Sequence, residues 1–347
     1  MTTVMKRFFI LMGTMLLVFA SCSKDTVKVS NGDRAINFRT SVGTKAEATL
    51  TADLEEFVVT ALNESNDIYF EDLLFTNEDN DNFFESEEVY YWPASGDLTF
   101  YAWAPTETEA GCEVVISATE KTLNNYAPAE SIKDQIDLLY AVATGNNSNE
   151  AVHLEFGHAL SQIELMAKNS NTNYVYTVRG VRIGSVAEAG SLNLETNEWS
   201  PVSTTETYES IYTSEEESVI LTGTDANIMS AEGNAMLIPQ QLTKWDVETD
   251  KANVHNGAYL AVYVNIKTVG NSQVFPKDGG YGWVAVPINT LWEPGKKYIY
   301  TLDFSTGAGY IAPDDDTNPG GSVLGTSIKF SLNTEVAWWQ SGMTELQ

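Results

Sequence analysis

Few side chains in this sequence are suited to chemistry, and they are widely scattered: two cysteines, Cys22 and Cys112, and three histidines, His153, His158 and His255. Cys22 follows an apolar run, Phe8 to Ala20, that is preceded by Lys6-Arg7 and ends in the small residues Ala20 and Ser21. A lipoprotein signal peptidase needs this arrangement to approach the backbone closely, and Cys22 then reads as a lipid anchor. The run is shorter than the roughly 20 residues a spanning helix requires, so it reads as a removable signal. An acylated Cys22 leaves Cys112 without an intramolecular disulfide partner, and Cys112, opening the segment CEVVISA, reads as a small core hydrophobe.

A second chemical feature is a peptide bond. Gly43-Thr44-Lys45-Ala46 is flexible and basic, the kind of segment a trypsin-like protease can reach, with Lys45 and Ala46 flanking the cut. The remaining combinations point away from catalysis. His153 and His158 sit five residues apart around Phe156-Gly157 with no Cys or HExxH partner, so they read as strand or turn histidines. The acidic clusters Glu78-Asp79-Asn80-Asp81 and Asp314-Asp315-Asp316 lack the spacing of a calcium loop and read as solvated. No G-x-S-x-G elbow or Gly-rich phosphate loop is present, and neither an enzyme, a metal nor a cofactor is expected. One rival chemistry stays open: Tyr90, Tyr91, Trp92, Tyr101 and Trp103 could stack on sugar rings, as in a surface glycan-binding lipoprotein.

A cut at Lys45 matters only if the segment it releases belongs to the fold. Ile36, Phe38 and Val42 fall on even positions with Asn37, Arg39 and Ser41 between them, the period-two pattern of a half-buried strand. Losing it would open a groove along one sheet, and a strand from a neighbouring molecule could fill that groove. The rest of the chain supplies the sheets. Its segments are short, aromatic or β-branched and bounded by Gly, Asn, Asp or Pro, an all-β signature. The clearest is Gly257 to Thr268, apolar on both faces and therefore central in a sandwich. The polar run Asn169 to Asn173 is the expected linker. It divides the chain into a signal at 1–21, a propeptide with the first strand at 22–45, a domain at 46–172 and another at 173–347. After the Gly-, Pro- and Asp-rich stretch Thr306 to Gly325, Ile328, Phe330, Leu332, Val336 and Trp338 again alternate, forming an amphipathic strand at about 326–339 on a flexible leash. The apolar fraction of 43% suffices for sizeable cores. Removing residues 1–21 takes two positive charges from a net charge of −29, leaving −31. Such a surface repels nucleic acid and anionic lipid.

These pieces resemble the fimbrillin family, the subunits of type V pili of anaerobic gut and oral bacteria. The resemblance lies in the segment ending at Cys22, the strand Ile36 to Val42 followed by Thr44-Lys45-Ala46, and YYWPASGDLTFYAWAP at Tyr90 to Pro105. DLLYAVA at Asp137, FGHALSQIELMAKN at Phe156, MLIPQQLT at Met236 and WEPGKKYIYTLDF at Trp292 complete it. It implies two transthyretin-like Greek-key β-sandwich domains in tandem and export as an outer-membrane lipoprotein held by lipid on Cys22. It also implies clipping by an arginine- or lysine-specific protease and polymerisation with other pilin subunits into a cell-surface fimbrium by donation of a terminal strand. Lys45 stands where the family most often has Arg, and Arg39 is a second possible site. An uncut chain would resemble the anchor subunits, which keep their lipid. N-terminal sequencing of the surface protein is expected to return a chain starting at Ala46, whereas a start at acylated Cys22 would mark an anchor subunit.

Overall fold

The computed structural model describes residues 34–42, 54–77, 82–149, 151–214, 216–229, 233–313, 318–325 and 327–336. The chain opens with strands β1 (Phe38–Val42), β2 (Glu56–Asn63), β3 (Ile68–Thr76) and β4 (Leu98–Ala104). A one-turn helix, α1 (Glu107–Ala110), is closed by reciprocal Thr106–Glu109 bonds and ended by Gly111 at φ 65°. It leads into the hairpin β5 (Glu113–Ile116) and β6 (Lys121–Tyr126), then β7 (Leu139–Gly145) and β8 (Val152–His158). Next come β9 (Ser161–Lys168), β10 (Tyr174–Ala187), the hairpin β11 (Gly190–Asn193) and β12 (Glu198–Pro201), and β13 (Thr205–Ile211). The short strands β14 (Val219–Ile220), β15 (Ala226–Asn227) and β16 (Ala235–Leu237) precede β17 (Tyr259–Thr268), β18 (Gln273–Phe275) and β19 (Gly282–Pro287). β20 (Lys296–Asp303), β21 (Tyr310–Ile311) and β22 (Lys329–Val336) follow. The all-β class expected from the sequence is the class found.

In the first sheet the strand order is β1-β8-β7-β4-β2-β3. Its central strands are apolar on both faces, so both faces must be covered. Phe57, Val59, Ala61, Phe100 and Ala102 share one face, while Val58, Leu62, Tyr101 and Trp103 take the other. The first face is covered by the sheet itself. The sheet curls until Phe38 of β1 stands 4.7 Å from Phe75 of β3, at the opposite edge. Residues 84 and 85 close the gap, Phe84 pairing with Phe38 and Glu85 with Thr76. The second face rests on the four-stranded sheet β12-β11-β6-β5 through Ile116, Leu123, Leu192 and Leu194.

A second sandwich holds the remaining strands. The sheet β13-β10-β17-β19-β21 faces the sheet β15-β9-β20-β22, with Val178, Leu260, Val262 and Val284 packed against Ile163, Leu165, Tyr300 and Leu302. β17 lies between β10 and β19, central as its two apolar faces require. Sheet pairing runs across residue 172: β9, before it, is bonded to β20, and the β11–β12 hairpin, after it, joins β6. Residues 169–173 connect β9 to β10, and within them Asn169 is buried and donates to the carbonyls of Asn171 and Tyr174.

The final strand is attached differently from the others. β22 pairs antiparallel with β20 from Lys296↔Val336 to Asp303↔Lys329, so its backbone is satisfied along one edge. Two of its apolar side chains are only half covered: Phe330 is 37% and Leu332 38% exposed, while Ile328, just before the strand, is 3% exposed within the second core. The anchor is therefore Ile328, and the strand beyond it is held mainly by its ladder. Ile328→Ala is expected to cost about 2–5 kcal/mol, the range for a buried aliphatic truncation, and Leu332→Ala less than about 1 kcal/mol. Urea denaturation of the two variants reads the difference.

Candidate functional site

The slot that holds β1 is where sequence and geometry converge. Alternation places Ile36, Phe38 and Thr40 inward and buried, with Arg39 pointing to solvent. On one side β1 runs parallel to β8 in the register Phe38↔Val152, Arg39↔His153, Thr40↔Leu154 and Ser41↔Glu155. On its other side the segment 82–92 runs antiparallel. The Ile36 amide donates to the Tyr90 carbonyl at 2.8 Å, the Phe38 amide to Phe84 at 3.3 Å, and the Phe84 amide returns to Phe38 at 2.9 Å. Asn82 and Thr40 extend this side, the Asn82 side chain donating to the Thr40 carbonyl at 3.0 Å. β1 is thus bonded along both edges, although it is the terminal strand of its sheet.

Its inward face is equally committed. The Phe38 ring meets Phe75 at 4.7 Å and Phe100 at 5.1 Å, both edge-on, and Phe57 at 6.0 Å. Phe84 packs on Phe57 at 4.8 Å and Phe156 on Phe57 at 5.1 Å, so the slot is floored by phenylalanines from four strands and the bridging segment. Outside, the Arg39 guanidinium lies 5.2 Å over the Phe83 ring, and Ser41 Oγ is 2.9 Å from His153 Nε2. An open cleft lined by Arg34, Ala35, Asn37, Phe83 and Ser148 runs beside the strand.

Of the residues singled out in the sequence, Arg39, Ile328, Phe330 and Leu332 are placed as described above. Cys22, Lys45, Ala46 and Trp338 lie outside the described residues, as do the Val336 side chain and both acidic clusters. The slot residues Asn82, Phe83 and Phe84 escaped the sequence reading. Their only local signal is a pair of phenylalanines directly after an Asp- and Asn-rich run, and what they do depends on a strand more than forty residues away.

Burial shifts two titratable groups of the first half. His158 Nδ1 is 2.6 Å from Asp137 Oδ2 where β8 ends, and burial pushes the Asp137 carboxyl above its usual range against the pull of that histidine. Burial, joined by the Glu107 carboxylate, pushes the Cys112 thiol up to about 12, so it holds almost no thiolate near neutrality. Among the described residues no group of three His, Cys, Asp or Glu side chains converges as a metal site would.

The aromatics proposed for sugar stacking are differently placed. Trp92, Tyr101 and Trp103 are buried in the two cores of the first sheet, Tyr90 is half-buried, and Tyr91 is exposed. A half-buried aromatic row does exist on the outer face of the second sandwich, where Tyr263 meets Trp283 at 4.9 Å and Tyr281 at 5.4 Å. Its rings stack on one another and on two arginines, Arg182 at 4.0 Å over Trp283 and Arg179 at 5.2 Å over Tyr281, rather than standing open.

The geometry defines an all-β sandwich protein built around a doubly bonded first strand. The chain belongs to the fimbrillin-like family, whose model matches residues 42–323. Among solved structures it is similar to a fimbrial protein from Bacteroides vulgatus, with 16% identity over 87% of this chain and 99% of that one and a TM-score of 0.57. A proposed cell adhesion protein from Parabacteroides distasonis matches over 86% and 95% of the two chains at 9% identity and a TM-score of 0.52. At these identities the likeness is one of fold. No curated protein matches the chain.

Phe38→Ala is expected to destabilise the protein by about 3–5 kcal/mol, because the ring is central and the surrounding phenylalanines cannot all close on the void. Arg39→Ala, on the solvent face, is expected to cost less than about 1 kcal/mol. Chemical denaturation monitored by tryptophan fluorescence measures both.

Proposed function

We propose that the protein is a structural subunit of a cell-surface pilus, exported as an outer-membrane lipoprotein acylated at Cys22. In this reading a trypsin-like protease cuts between Lys45 and Ala46, β1 leaves, and β22 of another subunit takes its place. The carrying observation is the contrast between the two terminal strands. β1 is bonded on both edges and buried on one face, so its loss strands backbone groups and uncovers an apolar trough. β22 has a satisfied ladder and half-exposed Phe330 and Leu332, so it gains by moving into such a trough.

The pairing of β1 also bears on where the cut falls. Arg39 lies inside the doubly bonded strand, and a protease must draw an extended segment into its own cleft, so Lys45 is the preferred site. Each buried apolar side chain of a donated strand contributes about 1.5–3 kcal/mol, and the backbone ladder adds to that. The joint is therefore long-lived. Partners in this reading are other subunits, the processing protease and outer-membrane lipid, and the role is adhesive and structural rather than enzymatic.

Limited trypsin treatment is expected to give a chain beginning at Ala46 that forms ladders on a denaturing gel without boiling. A chain ending at Ile328 should be trimmed equally well and stay monomeric. Full-length protein that is trimmed, loses β1 and remains monomeric would overturn the reading.

A further inference from the structure

We infer that Asn82 sets the register in which the strand of a second copy enters the slot, with Thr334 in the place of Thr40. The inference rests on strand donation as proposed above and specifies the fit. In the antiparallel ladder beside β1, Phe38 pairs with Phe84, and the next position in step pairs Thr40 with residue 82. Asn82 has φ 61°, which turns its backbone out of the ladder, and its carboxamide supplies the pairing instead. The Thr40 amide donates to Asn82 Oδ1 at 3.2 Å, and Asn82 Nδ2 donates to the Thr40 carbonyl at 3.0 Å. The Thr40 hydroxyl also donates to Oδ1, at 2.9 Å. Two of these bonds suit any residue. The third selects a hydroxyl, because an aliphatic side chain there would leave the half-buried carboxamide oxygen with one bond fewer.

The chain carries a second segment with the matching pattern. Ile36-x-Phe38-x-Thr40-x-Val42 is apolar, apolar, Thr, Val at alternate positions, and so is Phe330-x-Leu332-x-Thr334-x-Val336. Ile with Phe in one segment and Phe with Leu in the other occupy nearly equal combined volume, the kind of exchange a core tolerates. The rival register, two residues away, lays Ile328 over Ile36 and Phe330 over Phe38 but sets Leu332 against the carboxamide. It also withdraws Ile328 from the donor's own core, where a Cβ added at Gly309 would come within 2.9 Å of the Ile328 Cδ1 atom. In the favoured register Ile328 stays home and the donated strand begins at exposed Lys329. Glu335 then stands opposite Glu155 on the solvent face, a like-charge contact that salt screens.

Disulfide trapping in trimmed protein lacking Cys112 (Cys112→Ser) reads the register. Asn333 takes the place of Arg39, opposite His153, in the favoured register and lies opposite Glu155 in the rival one. Asn333→Cys with His153→Cys is expected to give disulfide-linked ladders about tenfold more efficiently than Asn333→Cys with Glu155→Cys, the discrimination that about one hydrogen bond supplies. Thr334→Val or Asn82→Ala should shrink that ratio toward one while polymers still form. Equal or better trapping through Glu155→Cys overturns the register, as does non-covalent polymer that traps through neither pair. Trimmed protein that never polymerises overturns strand donation itself, and the register with it.

Discussion

β1 is bonded along both edges, by β8 on one side and by the 82–92 segment on the other. Closure of the curled sheet passes through it, and Phe38 fills the centre of the space so enclosed. A buried peptide group without a partner costs about 1–3 kcal/mol, so a slot of this kind is stable only when some strand occupies it. That condition makes β1 integral to the first sheet, and the proposed exchange of strands turns on it.

The end of the chain shows the opposite balance. β22 makes a full ladder with β20, yet Phe330 and Leu332 stay half in water because the second core is closed by Ile328 and Phe304. Backbone pairing at an exposed edge competes with water and contributes little net stability, whereas alternate side chains entering a trough gain the burial term as well. The two terminal strands thus differ in free energy for a reason visible in their surroundings, although their sequences follow one pattern.

The body between the two terminal strands is tied together by side-chain packing and by sheet pairing. The first sheet is covered on one face by its own curl and on the other by the β5–β6 and β11–β12 hairpins. Since β11 and β12 follow β10 of the second sandwich, the two halves are stitched by sheet pairing and not only by a connecting segment. Charge acts separately: a net charge of −29 opposes nonspecific association of copies of the chain.

Alternation within single segments was enough to read the all-β class, the inward set Ile36 and Phe38 and the central place of β17, because side-chain period is a local property of the strand. Local pattern could not say which aromatics face water: Tyr101 and Trp103 are adjacent to apolar residues in any reading, and only the layer behind the first sheet buries them. Nor could it show that Asn82 and Phe84 complete the slot, since their partners lie more than forty residues away and come within reach only when the sheet closes. The strand character of these segments was thus determined by the sequence. Strand neighbours, and with them the difference between a seated first strand and a half-covered last one, were decided by the tertiary structure, because backbone hydrogen bonds carry no residue identity and are assigned by packing alone.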